Sequence, residues 1–375
     1  MTILLKIGVF LSNLIYWFLK LLPVKKKVTF LSRQSDHPSI DIAMLADEIK
    51  RSHPDFKPIV LCRKLEKRAP SMLGYCFHML RQMYHLATSQ IIILDSYAIL
   101  VSILHHRESL LIVQMWHSVG TMKKFGYSIL DMKEGSSSKI AHVMKMHANY
   151  DYILAASEAY KPHLAEGFHY PLSKIVTYPL PRVELLKSSR YGQVTREAIY
   201  HTYPELQKKE TILYVPTFRK GEDEAFSQAV LSLANAIDYE RYNLVIKPHP
   251  LAKLELAHSK AMIDNRFTSF EMLFISDCVI SDFSCIIYEA AVLQRPIYLY
   301  TYDYEHYLQT RDIYMDYKAE MPGPICNTAA EVARAIRHHS CDPVKVDAFL
   351  KKYVSSNSDH ETKDIVDFVF SKKKL

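Results

Sequence analysis

Val279-Ile-Ser-Asp-Phe-Ser-Cys-Ile-Ile-Tyr-Glu-Ala-Ala-Val-Leu-Gln-Arg-Pro296 is a short apolar run, a polar turn and a longer amphipathic run, ended by proline. The pattern predicts a buried strand over Cys278 to Ser281 and a helix over Ser284 to Leu293. The same alternation spreads outward from it. Thr211 to Val215, Leu244 to Lys247 and Ile297 to Tyr300 read as further strands, with a helix over Ala225 to Ile237. Earlier in the chain, strands are expected at Val28 to Leu31, Pro58 to Leu61, Ile91 to Leu94, Leu111 to Met115, Tyr152 to Ala155 and Ile175 to Tyr178. Helical patterns at Ile40 to Arg51 and Gly74 to Thr88 lie between them. Strands alternating with helices imply α/β architecture with parallel, doubly wound sheets. The alternation pauses across Tyr178-Pro-Leu-Pro181 and a polar helical stretch from Val183 to Lys209, then restarts. Two Rossmann-like domains, residues 28–195 and 196–375, are therefore expected to face a cleft, with residues 1–27 a separate segment. Helices at Ala329 to His338 and His360 to Phe370 close the chain, the last placed to cross back to the first domain.

Composition agrees with two full-sized cores: 375 residues, 49% hydrophobic and 23% charged, which excludes a disordered or fibrous chain. The net charge of +7 comes from 47 Lys and Arg against 40 Asp and Glu, and it is concentrated at the ends. Lys6, Lys20, Lys25, Lys26 and Lys27 sit at the start without an acid, and Lys372, Lys373 and Lys374 at the finish. The body between them is near neutral, which argues against nucleic acid as a partner. The 9 glycines include no dinucleotide fingerprint and no P-loop. The 6 cysteines form no C-x-x-C pair and no zinc spacing, so free thiols in a reducing compartment are expected. The histidine pairs His105-His106 and His338-His339 and the aromatic run from Tyr298 to Tyr307 show no metal or cofactor spacing and read as structural.

From Ile3 to Leu22 the chain is apolar except for Lys6, Asn13 and Lys20, which recur every seven positions and so share one narrow helix face. Two lysines and a central asparagine argue against a membrane span. Tyr16, Trp17, Phe18 and the lysines after Pro23 suit a helix lying in the membrane interface, at the cytoplasmic face. The competing reading is a helix packed on the protein itself.

Several clusters could carry chemistry. Val245-Ile-Lys-Pro-His-Pro250 ends a strand in a cation and holds His249 between two prolines that stiffen the backbone, so Lys247 and His249 are candidates for binding phosphate or a leaving group. Ser281, Asp282 and Ser284 stand at an expected helix start, where free N–H groups favour an anion. Glu289, further along that helix, could accept from ribose hydroxyls. Val113-Gln-Met-Trp-His117 brings His117 to a strand end in the other domain. Thr217 and Arg219 follow a strand and Arg182 stands at the domain junction, all able to reach phosphate. No carboxylate pair demands a metal.

In this order, Trp116-His117, Pro181-Arg182, Pro216-Thr-Phe-Arg219, Lys247-Pro-His-Pro250, Ser281-Asp-Phe-Ser284, Arg295-Pro296 and Asp316-Tyr with Met321-Pro-Gly-Pro324 resemble the CDP-glycerol glycerophosphotransferase family of teichoic acid biosynthesis. The resemblance spans about residues 28 to 370. It implies a GT-B fold, CDP-glycerol as donor substrate bound by the C-terminal domain, and His117 and His249 as the catalytic pair. Which of the two is the base stays open. Trp116-His-Ser-Val-Gly-Thr-Met-Lys-Lys124 and Ser32-Arg-Gln-Ser-Asp-His-Pro-Ser-Ile-Asp41 look more like the priming enzymes, which place the first glycerol phosphate on a polyprenyl-diphosphate-linked disaccharide and release CMP. The implied partners are that lipid-linked acceptor, the membrane surface and, as candidates, other teichoic acid enzymes. No cofactor is required, and a role for a divalent metal is left open. The alternatives are a polymerase or a CDP-ribitol-using transferase of the same family, a GT-B glycosyltransferase using a nucleotide sugar, and a noncatalytic envelope-assembly scaffold.

Overall fold

Near-continuous β-branched runs need cover on both faces, and the chain supplies it twice. The computed structural model describes residues 2–64, 69–219, 221–249, 252, 254, 259–356 and 358–374. In its first half, β1 (Lys27–Ser32), β2 (Lys57–Cys62), β3 (Ile91–Leu94), β4 (Leu111–Gln114), β5 (Tyr152–Ala155) and β6 (Ile175–Thr177) form one parallel sheet in the order β2-β1-β3-β4-β5-β6. Every residue of β3 and β4 is buried, as a parallel strand covered on both faces requires. In the second half, β7 (Glu210–Tyr214), β8 (Tyr242–Ile246), β9 (Met262–Ile263), β10 (Cys278–Ser281), β11 (Ile297–Tyr300) and β12 (Ile325–Cys326) pair in parallel in the order β12-β11-β10-β7-β8-β9. These are the two common doubly wound orders, and each has a switch point where ligands bind such sheets: between β1 and β3, and between β7 and β10.

The chain divides into two compact units, one of Met1–Ser118, Phe125–Glu184 and Ser356–Leu375, the other of Val119–Lys124 and Leu185–Ser355. The crossing at 184/185 precedes the boundary expected at 195/196. Hydrogen bonds hold the chain in the first unit that far: Arg182 binds Asp41, and Glu184 accepts from Thr362 N–H at 3.1 Å and its hydroxyl at 2.8 Å. The last helix, Glu361–Ser371, does return to the first unit. It buries Ile365, Val366 and Val369 beside Ile42, Leu45 and Ile49 of helix Ile40–Ser52, and Phe370 stacks on His53 at 3.6 Å. The polar stretch read as one helix is two, Arg182–Lys187 and Ser189–Thr202, because Ser188 accepts from Tyr191 N–H and starts a new helix.

The N-terminal helix, Thr2–Leu19, is amphipathic in an inverted sense. The C-terminal part of its polar edge faces the protein, while Lys6 is exposed: Asn13 donates to Ile103 O at 3.0 Å and accepts from His105 N–H at 2.9 Å, and Lys20, just beyond the helix, donates to His105 O at 2.8 Å. Tyr16, 1% exposed, hydrogen-bonds His106 Nδ1 at 2.9 Å, while His106 Nε2 lies 2.8 Å from Val101 O. A carbonyl only accepts, so Nε2 carries the proton and Nδ1 accepts from the tyrosine hydroxyl. The apolar side is left outward, with Leu4, Phe10, Trp17 and Phe18 more than half exposed. Thus the helix docks on the protein by part of its polar edge, without entering the core as the competing reading expected. No described helix is long and apolar enough to cross a membrane.

Candidate active site

The first unit places His117 three residues beyond β4, in a backbone held by its neighbours. Trp116 adopts φ +64, the left-handed region that costs a non-glycine residue, and its N–H donates to Gln114 Oε1 at 2.9 Å. Its indole is fixed by Phe125 at 4.5 Å and by the edge contact with Phe168 at 5.1 Å, and it lies 4.2 Å from the His117 ring. His117 Nδ1 is 3.1 Å from the carbonyl oxygen of Asp95. That carbonyl requires a proton on Nδ1, so the lone pair resides on Nε2. Burial pushes the imidazole down to about 4; the Asp95 carbonyl opposes the shift and the Arg182 charge adds to it. At neutral pH His117 is an uncharged imidazole of fixed tautomer, the form a general base needs.

Arg182 supports this arrangement instead of standing free at the junction. Its Nε donates to Asp41 Oδ2 at 2.9 Å and its Nη2 to the same oxygen at 2.5 Å, while its backbone N–H reaches Oδ1 at 2.9 Å. Nη2 also approaches His117 O at 3.4 Å. Asp41 is wholly buried, so the guanidinium is committed to a bidentate ion pair behind the histidine. Beside them the Asp95 side chain is buried between the ends of β1 and β3. Burial pushes its carboxyl up to about 6, with Ser32 and Ser96 hydroxyls opposing the shift. Asp41 and Asp95 were not singled out from sequence. An aspartate directly after the apolar run Ile91–Leu94 was the available signal for Asp95.

The second unit gathers most expected donor residues at the β7/β10 switch point. Asp282, 1% exposed, accepts from Thr217 N–H at 2.9 Å and from Arg219 Nη2 at 3.0 Å. Arg219 is shared with Asp303, to which Nε and Nη2 donate at 2.5 and 2.9 Å. Burial alone would lower the guanidinium pKa, but the Asp303 hydrogen bonds and the Asp282 charge hold it above its ordinary value. Ser281 donates to Val215 O at 2.8 Å, and Ser284 Oγ accepts weakly from Ile286 N–H at 3.4 Å. Thr217 Oγ1 is buried with no hydrogen-bond partner among the described residues, so it retains its capacity for a ligand. Glu289 is buried on the seven-residue helix Ile286–Val292, whose start lies two residues beyond the expected one.

Lys247, at the end of β8, is bound three ways within the fold. Its ammonium donates to Asp264 O at 2.7 Å, to Asp264 Oδ2 at 2.8 Å and to Phe267 O. Burial would raise the Asp264 carboxyl, but hydrogen bonds from Lys247, Tyr203 and Arg266 N–H hold it below its usual range. Lys247 thereby anchors the loop that exposes His249, whose ring stacks on Phe218 at 5.2 Å. Pro250 of this motif lies outside the described residues. Among the described residues no group of three or more His, Cys, Asp or Glu side chains is placed to hold a metal ion.

Two doubly wound parallel units, each with polar side chains collected at its sheet's switch point, define a GT-B-like α/β protein. The wall teichoic acid polymerase TagF shares the fold, with a TM-score of 0.76 at 18% identity over 99% of this chain and 96% of that one. The family described as CDP-Glycerol:Poly(glycerophosphate) glycerophosphotransferase matches residues 14–371. The teichoic acid ribitol-phosphate primase of Bacillus spizizenii is 30% identical over 362 residues, covering 94% of this chain and 92% of that protein. The teichoic acid glycerol-phosphate primase of the same organism is 26% identical over 340 residues, 87% and 88% of the two chains, and its poly(ribitol-phosphate) polymerase is 27% identical over 381 residues, 96% of this chain and 59% of that one. The chain belongs to the CDP-glycerol:poly(glycerophosphate) glycerophosphotransferase family, transferases of teichoic acid biosynthesis.

Proposed function

We propose that this protein primes a teichoic acid chain, moving one polyol phosphate from a CDP-polyol to a hydroxyl of a polyprenyl-diphosphate-linked acceptor. The observation that carries the priming reading is reciprocal coverage. The ribitol-phosphate primase matches over 94% of this chain and 92% of its own length, and the glycerol-phosphate primase over 87% and 88%. CDP-glycerol is the donor that the sequence motifs favour. CDP-ribitol is the second reading, favoured by the 30% identity to a ribitol-phosphate primase.

The acceptor oxygen attacks the phosphorus bearing the polyol, its proton passes to His117 Nε2, and the bond to CMP breaks as the new phosphodiester forms. Burial keeps the histidine in its base form, the Asp95 carbonyl fixes its tautomer, and Arg182 adds a charge that disfavours protonation. His249, on the donor unit, offers an imidazole to the charge that develops on the leaving phosphate. Thr217 offers a hydroxyl to the donor, and Glu289 is the candidate ribose acceptor. A lipid-linked acceptor requires the enzyme to work at a membrane surface, and the outward apolar side of helix Thr2–Leu19 is suited to lie in one.

Incubation with CDP-glycerol, CDP-ribitol and nucleotide sugars plus a soluble lipid-disaccharide analogue, followed by mass analysis, tests the reading. One added polyol phosphate with one CMP released is expected. Long polymers would overturn the priming assignment, a sugar product the phosphotransferase assignment, and absence of CMP release with every acceptor the transfer itself.

A further inference from the structure

The two cations that the sequence offers to donor phosphate on this unit, Arg219 and Lys247, are both held by carboxylates of the fold. A third cation, Lys123, has no such partner among the described residues. Lys123 lies in Val119–Lys124, a short segment that follows His117 in sequence yet belongs to the second unit. The segment is built in rigidly. Gly120 packs so closely on Tyr288 that a Cβ there would fall 2.5 Å from the ring, and its carbonyl accepts from Cys285 Sγ at 3.2 Å. On the other side, Met122 O accepts from Tyr314 N–H and Lys124 N–H donates to Asp312 O, both at 2.9 Å, and Lys123 bridges Ile313.

These anchors leave the Lys123 ammonium 5.6 Å from the Tyr307 ring, which also stacks on Phe283 at 3.9 Å and carries the Arg219 guanidinium at 4.4 Å. No carboxylate lies within ion-pair distance of Lys123 among the described residues, although Asp282, Cys285, Arg219 and Arg311 are within electrostatic reach. Asp282 and Asp303 answer Arg219. A partly buried ammonium that feels two guanidinium charges, and whose nearest carboxylate influence, Asp282, is already paired with Arg219, is a place for an anion.

We infer that Lys123 is a binding residue for a phosphate group of the donor nucleotide. The inference rests on the CDP-polyol reading of the second unit, since it is that reading which supplies a diphosphate as the anion. Burial is the main influence on the ammonium and lowers it to about 8, helped by Arg311 and Arg219 and opposed by Asp282 and Cys285. The charge, and with it the attraction for phosphate, should therefore fade as pH rises through about 8.

The test is calorimetric titration of the full chain with CDP, for wild type, Lys123→Met and Lys123→Arg, with thermal unfolding as the folding control. Lys123→Met is expected to weaken CDP roughly tenfold to a hundredfold, the usual worth of a charge-assisted hydrogen bond, without a matching loss of stability. Wild-type affinity should decline between pH 7 and about 9, and Lys123→Arg, whose charge persists, should bind within a fewfold and show no decline. Wild type binding CDP while Lys123→Met binds equally well, or Lys123→Arg keeping the same alkaline decline, overturns the role of Lys123 alone. Failure of the wild type to bind either CDP or CDP-glycerol overturns the donor reading, and this inference with it.

Discussion

His117 is tuned against protonation, and this has a kinetic consequence. An ordinary histidine would lose its base form as pH falls through about 6.5, but here burial moves that loss down to about 4. Because its folded value is depressed, the neutral ring contributes stability that is full above 6.5 and is lost as pH falls toward about 4. Asp95 behaves oppositely. Its carboxyl, raised to about 6, resists ionisation in the fold, so it stabilises below the ordinary carboxylate range and costs stability as pH rises through about 6. An acid-side limb near pH 6 in kcat/KM therefore belongs to Asp95 and not to the base. Asparagine mimics the protonated carboxyl, so Asp95→Asn should abolish that limb by holding kcat/KM near its low-pH level throughout, while keeping the main-chain carbonyl that bonds His117. A limb that stays near 6 in Asp95→Asn would assign it elsewhere. Arg182 and Asp41 act at the same scale: a buried bidentate pair with one arm toward the His117 carbonyl makes Arg182 a positioning residue.

At the scale of the element, the N-terminal helix separates two roles by face. Part of its polar edge is spent on docking to residues 101–107, and its apolar side faces outward. An exposed apolar strip of this length suits the membrane attachment proposed above, and Lys25, exposed in the linker to β1, suits an anionic bilayer, while Lys26 pairs with Asp55 at 2.9 Å. Phe10→Asp with Phe18→Asp should abolish co-sedimentation with vesicles containing anionic lipid, yet change stability by only about 0.5 kcal/mol per site, because both rings are exposed. Asn13→Ala should do the reverse, costing roughly 1–2 kcal/mol of docking while leaving the apolar side intact. Vesicle binding that survives the double aspartate change would remove the helix from membrane attachment. The seven-residue spacing of Lys6, Asn13 and Lys20 was legible as one face, but which way that face turned was not. A polar stripe seeks water or buried hydrogen-bond partners equally well, and the partners here come from residues about ninety positions away. Other elements divide similarly. Ten strands were readable from apolar runs, whereas β9 and β12 are two residues long and carry no period. Helix Pro343–Tyr353 carries only a start signal, Asp342 capping Val344 N–H ahead of a proline. His117 and His249 were legible as candidates because tryptophan, prolines and strand ends mark them. Of the carboxylates that bind Arg182, Arg219 and Lys247, only Asp282 was a candidate from sequence; Asp41, Asp303 and Asp264 meet those cations only through sheet topology.

At the scale of the molecule, the order of the chain and the order of the units differ. The first unit is completed by the last helix, and the second incorporates six residues from the middle of the first half. Every residue proposed for the donor side, Lys123, Thr217, His249 and Glu289, belongs to the second unit, and none of the first unit's core lies among them. Stability of the two units and donor binding should therefore be separable by mutation. Ile365 is fully buried in the first unit's core, on the helix that closes it. Ile365→Ala removes three carbons from a packed site and should cost about 2–5 kcal/mol, chiefly to the first unit. Calorimetric unfolding is expected to show one transition moving to lower temperature while a second stays in place, and CDP affinity measured well below the first transition should remain within a fewfold of wild type. Loss of CDP binding in proportion to the lost stability, with both transitions falling together, would mean that the two units unfold as one and that the donor site depends on the first unit's core.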